Sequence, residues 1–256
     1  MLDKIIHKYI GIPYKIAVKV DKGRGRPIVF IHGIASDATV WDRVINYLGD
    51  TPRRILTLDL LGHGNSPKPD WTNYSAFDYA KSTARTLRSK NVKGAVLVGH
   101  SMGGLVCVEI AKQYPDLVSK LVLVCPPIYD TNTEGINKLD GRYIGLYELL
   151  VQKDDFTKSL AASIAKLMGE KIHFYLTPNS WGPIRKSLEN TIIKQNTLGV
   201  LNKLRIPKII IYGKYDPFIV SANYNKIKDA DIRTTAAFHD ISQSFSQTIG
   251  KILKEI

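Results

Sequence analysis

Five short, nearly continuous apolar runs constrain the fold of this 256-residue chain more than any other feature. They are Pro27–Ile31, Arg54–Asp59, Ala95–Val98, Leu121–Cys125 and Lys208–Tyr212, and each leads into or ends on Gly, Pro, His or Asp. Strands buried on both faces of a parallel sheet read this way, because neither face can alternate with polar side chains. An earlier stretch, residues 14–20, alternates instead and predicts a strand with one wet face. Helical periods fall between the runs, over 39–48, 75–90, 103–114 and 241–254. Strands alternating with helices through short links imply an α/β layer architecture.

The interval from Ile128 to Leu204 breaks this rhythm. It shows no strand pattern and predicts helices near 142–152, 155–168, 183–195 and 197–204, an all-helical insert set on the sheet. The expected division is a core of residues 1–127 and 205–256 with a cap of residues 128–204. Tyr143, Tyr147, Phe156, Phe174, Tyr175 and Trp181 are aromatic candidates for lining a cavity beneath it or holding it together.

Composition removes several classes of function. With 44% hydrophobic residues in regular runs the chain is not disordered, and no apolar stretch approaches the roughly 18 residues of a spanning helix. The start, with Asp3, Lys4 and Lys8 among its apolar residues, is not a secretory signal, so a cytoplasmic setting is expected. Cys107 and Cys125 sit inside apolar runs and read as small core residues, not as a bridge or metal pair. The net charge of +13 is spread without a block of like charges, although residues 1–30 hold seven basic and two acidic side chains. A solvated basic surface is expected, with no nucleic-acid partner. Dinucleotide, P-loop, Cys-x-x-Cys and His-Glu-x-x-His signatures are missing, so neither a cofactor nor a metal is expected.

The chemistry concentrates in Gly99-His100-Ser101-Met102-Gly103, between the run Ala95–Val98 and an amphipathic helix. Strand, Gly-x-Ser-x-Gly turn and helix make a nucleophile elbow, a strained turn that lifts the serine hydroxyl clear of the sheet. The helix that follows aims N–H groups at the same point. An inert serine in a glycine turn is the plain alternative.

A second turn, His32-Gly33-Ile34, ends an earlier run, and with the elbow it makes the chain resemble the α/β-hydrolase fold family. The resemblance covers nearly everything outside the insert. It implies a mostly parallel central sheet flanked by helices, with a helical cap insertion. It also implies that Ile34 and Met102 donate the oxyanion-hole N–H groups. Asp59–Ser66 resembles the family's loop after the next strand and reads as structural. The family's order of serine, acid and histidine points to Asp216, in Gly213-Lys-Tyr-Asp216-Pro217 after a buried run. Pro217 disfavours helix at Asp216. Among six histidines, His7 precedes the sheet, His32 and His63 belong to turns, His173 lies in the insert, and His100 should point away from the serine. His239 remains, 23 positions after Asp216, although Phe238 replaces the family's usual glycine before it.

These residues imply a serine hydrolase acting on a small-molecule carboxylic ester or thioester. The same triad serves carbon–carbon bond hydrolysis and perhydrolysis. A ligand-binding protein with little turnover and a peripheral membrane lipase attracted by the charge are the competing readings. Oligomeric state is open.

Overall fold

The protein was described from a computed structural model, which describes residues 2–129 and 178–256. The helices expected near 142–152 and 155–168, and Tyr143, Tyr147, Phe156, His173, Phe174 and Tyr175, lie outside those residues.

Seven strands form one sheet: β1 (Val18–Lys22), β2 (Pro27–Ile31), β3 (Arg54–Leu58), β4 (Ala95–His100), β5 (Val118–Val124), β6 (Lys208–Gly213) and β7 (Ala230–Thr235). Their spatial order is β1-β3-β2-β4-β5-β6-β7. Only the β1–β3 pair is antiparallel. The buried runs became the five central strands. Their side chains alternate between two cores: Val29, Ile31, Leu97 and Ile210 face one side, while Ile28, Phe30, Val96, Val98 and Ile211 face the other.

Helices cover both faces. Helix α1 (Asp42–Leu48) and the chain-terminal helix α6 (Gln243–Glu255) pack on the second core through Val44, Leu48, Phe245 and Ile249. Helices α2 (Ala76–Ser89) and α3 (Met102–Gln113) cover the first through Tyr79, Leu87, Leu105 and Ile110. Ser75 and Asp78 start α2 with a capping box, each side chain accepting the other's backbone N–H.

One strand expectation needs correction, and one strand was not anticipated. Residues 14–17 alternate like a strand but do not pair as one: Ile16 N–H donates to Thr86 Oγ1 and Ala17 N–H to Ser66 Oγ, so β1 begins only at Val18. Strand β7 carried no apolar run, because it lies at the sheet edge with Asp231 and Thr234 exposed.

Of the insert, α4 (Pro178–Ser187) runs into a wider turn over Leu188–Ile193, followed by α5 (Thr197–Leu201). This part docks on the start of α2 and the loop before it. Ser187 Oγ bonds Tyr79 Oη at 2.5 Å, Thr191 Oγ1 donates to the Tyr74 carbonyl at 2.7 Å, and Lys186 Nζ to that of Thr72 at 2.9 Å.

The chain leaves β2 for β3 on one side and returns to β4 on the other, so the sheet's switch point lies between the carboxyl ends of β2 and β4. Open α/β sheets bind ligands at such a crevice. His32-Gly33-Ile34 leaves one of these strands and the Ser101 turn leaves the other.

Candidate active site

Ser101 follows β4 directly and adopts φ 53° and ψ −126°, a conformation that costs a non-glycine residue on the order of 1–3 kcal/mol. The surroundings hold it there. Ser101 N–H donates to the Val124 carbonyl at 2.9 Å, and Gly104 N–H closes the turn on the Ser101 carbonyl at 2.9 Å. The turn fits only because Gly103 lacks a side chain: a Cβ there would lie 2.4 Å from the carbonyl oxygens of both Ile31 and His32. That close approach presses the ends of β2 and β4 together, so Gly33 runs beside the Ser101 side chain.

Ser101, Asp216 and His239 come together as the family order implies. His239 Nε2 lies 2.9 Å from Ser101 Oγ, and His239 Nδ1 lies 2.7 Å from Asp216 Oδ2. The second oxygen, Oδ1, accepts the Phe218 N–H at 2.9 Å, which fixes the carboxylate plane. Burial alone would raise the Asp216 carboxyl, but the electrostatic attraction of His239, its hydrogen bond, the Phe218 N–H and the Cys125 thiol together hold it below the usual carboxylate range. With Asp216 ionised, Nδ1 carries the proton and Nε2 is free to accept one from Ser101.

The departure at Phe238 is absorbed in two ways. Its ring turns out to solvent, 63% exposed, and packs on Tyr215 with 5.7 Å between centroids. The close passage of the loop is accommodated across from it, at Gly213, where a Cβ would stand 2.2 Å from the Ala237 carbonyl oxygen.

Ile34 and Met102 lie on the two turns that flank Ser101, and neither backbone N–H has an acceptor among the described residues. The first N–H groups of a helix lack intrahelical partners, so Met102 at the start of α3 is free to donate. His32 fixes the Ile34 turn: its Nδ1–H donates to the Gly33 carbonyl at 2.7 Å and its Nε2 accepts the Leu60 N–H at 2.9 Å. Burial lowers His32 to about 4, so the ring stays neutral in that tautomer. Asp59 acts structurally in the same region, taking the N–H groups of Ala38 and Asn65.

Two placements escaped sequence reasoning. His100 does not simply turn away: its Nε2 lies 2.8 Å from the His239 carbonyl oxygen, and the two rings are 5.0 Å apart. Cys125 is a free, buried core thiol, as its apolar run implies, and it lies beside Asp216 and His239. Cys125, Asp216 and His239 form a group of possible metal ligands within 4.8 Å of one another. The donor set suits a metal poorly, because Asp216 and His239 already bond each other and burial pushes the thiol well above its usual range.

Comparison with known proteins adds four findings. A family model described as "alpha/beta hydrolase fold" matches residues 26–171, more than half of the chain. The chain is 26% identical over 237 residues to a Mycobacterium phage D29 protein named provisionally as a non-heme haloperoxidase, covering 85% of this chain and 82% of that one. It is 38% identical over 122 residues to 2-(acetamidomethylene)succinate hydrolase of Mesorhizobium japonicum, covering 48% of this chain and 43% of the relative. Among solved structures, an esterase from Exiguobacterium antarcticum superposes with a TM-score of 0.75 at 19% identity, covering 94% of each chain.

Proposed function

The chain belongs to the α/β-hydrolase fold family, and on that premise we propose that it is a serine hydrolase that cleaves a small carboxylic ester or thioester through an acyl-enzyme. The observation that carries the proposal is the continuous array from Ser101 Oγ to His239 Nε2 at 2.9 Å and from His239 Nδ1 to Asp216 Oδ2 at 2.7 Å. In this reading His239 takes the Ser101 proton as Oγ attacks the acyl carbon. Asp216 stabilises the imidazolium and keeps its tautomer. The N–H groups of Ile34 and Met102 receive the tetrahedral oxyanion, a contribution of roughly 3–4 kcal/mol per donor. His239 then returns the proton to the leaving oxygen or sulfur, and water releases the acyl group by the same route. Residues 128–204 serve as the cap over a core of residues 1–127 and 205–256.

Intact mass after treatment with a fluorophosphonate tests the reading. One adduct on the wild type, absent from Ser101→Ala and His239→Ala, is the expected result. A folded wild type that takes no adduct would overturn it in favour of a binding protein. The phage relative's name adds one assay: hydrogen peroxide in place of water would turn the same acyl-enzyme into a peracid.

A further inference from the structure

Eight large apolar side chains are exposed among the described residues, and five of them fall within eleven consecutive positions: Leu2, Ile5, Tyr9, Ile10 and Ile12. Leu2 is 70% exposed, Tyr9 72% and Ile10 64%. Residues Leu2–Lys4 and Ile5–Tyr9 form two successive helical turns, and neither buries a single side chain. The backbone is nevertheless held in place. Ile10 N–H donates to the Ile5 carbonyl and Ile12 N–H to that of Ile6, His7 stacks on the buried Tyr14 at 3.7 Å, and Arg85 donates to the Pro13 carbonyl. An ordered segment that presents a cluster of apolar side chains to water marks a contact surface for something else.

The charge identifies the partner. Lys4, Lys8 and Lys15 are exposed along the same stretch. The one carboxylate there, Asp3, is already engaged, accepting the Tyr14 hydroxyl at 2.6 Å and lying 3.7 Å from His7 Nε2. The surface is therefore apolar, with Lys4, Lys8 and Lys15 outnumbering the single carboxylate of Asp3. A second copy of this chain would set the same cationic excess against itself. We propose that residues 2–12 form a peripheral docking element for an anionic lipid surface, with Leu2, Ile5, Tyr9 and Ile10 entering the interface and Lys4 and Lys8 meeting the headgroup phosphates. A short amphipathic segment with lysines beside aromatic and aliphatic side chains binds lipid in this way. No described helix is long and apolar enough to cross a membrane, so the contact is interfacial.

Co-sedimentation of the full chain with vesicles of equal phosphatidylglycerol and phosphatidylcholine tests this. The wild type should sediment with these vesicles, at least tenfold less with phosphatidylcholine alone, and progressively less as salt is raised. Leu2→Ser/Ile5→Ser/Tyr9→Ser/Ile10→Ser and, separately, Lys4→Glu/Lys8→Glu should each weaken partitioning at least tenfold while leaving turnover of a soluble ester and the Tm unchanged. Wild type that stays in the supernatant, or variants that sediment like wild type, would overturn the proposal. A Tm lowered by several degrees in the serine variant would overturn it too, by showing that these side chains are covered within the molecule. A concentration-dependent dimer abolished by the same variant would instead assign the surface to self-association.

Discussion

The imidazole of His100 donates from Nε2 to the main-chain carbonyl of His239 at 2.8 Å, tying the residue before the serine to the loop that carries the proposed base. Burial lowers His100 to about 3, so the ring is neutral and its single proton is committed to this bond. His100→Leu should leave His239 without its anchor and lower kcat about tenfold with KM nearly unchanged, the cost of one hydrogen bond. His100→Gln, whose amide nitrogen reaches toward the same carbonyl, should recover most of that loss. Steady-state kinetics of both variants on one ester checks the pair, and equal damage in both would indicate lost packing instead.

Asp216→Asn should preserve the fold and reduce kcat by a factor on the order of 10⁴. The amide N–H would face Nδ1, forcing the ring's proton onto Nε2, where it points at Ser101 and cannot accept. Near-unchanged circular dichroism with retained turnover would contradict the assigned role.

Gly213→Ala should harm both stability and activity, because its Cβ would stand 2.2 Å from the Ala237 carbonyl oxygen. Overpacking against backbone costs roughly 1–3 kcal/mol, enough to lower Tm by several degrees. The loop it displaces carries His239, so fluorophosphonate labelling should slow as well. Phe238→Gly, at an outward-facing position, should leave labelling close to wild type.

Stability should fall steeply in mild acid. His32, His63 and His100 are buried, and burial lowers them to about 4, 3 and 3. Below the ordinary histidine pKa of about 6.5 the unfolded chain takes up protons that the folded chain refuses, so stability is lost as pH drops from there toward 4. Each ring amounts to about 2 kcal/mol at pH 5. Asp216, held low, adds to the loss only at lower pH, as it protonates in the folded state. Urea midpoints measured from pH 7 to 4.5 test the slope, and a flat profile would refute it.

The five central strands were legible because burial on both faces leaves an unbroken apolar run; the meeting of Ser101, Asp216 and His239 was legible from the Gly-x-Ser-x-Gly turn, the loop after a buried run and the elimination of the other histidines. Strand β7 was not legible: it holds to β6 through main-chain pairing from Ala230 to Thr235, which leaves little trace in side chains. Residues 14–17 misled for the opposite reason, since Tyr14 and Ile16 alternate inward while the N–H groups of Ile16 and Ala17 bond side chains. His100 and Cys125 could not be placed beforehand. His100 meets a carbonyl 139 positions away, and the carboxylate near Cys125 arrives from the loop after β6, contacts that only the assembled sheet creates.

The turn at Ser101 is held entirely by backbone, through its own N–H on Val124, the Gly104 N–H on its carbonyl and the bare Cα atoms of Gly99 and Gly103. Its hydroxyl contributes nothing to that architecture. The scaffold beneath the tip is thus indifferent to the chemistry of the side chain it presents, and Ser101→Cys should keep the frame and the Tm of the wild type.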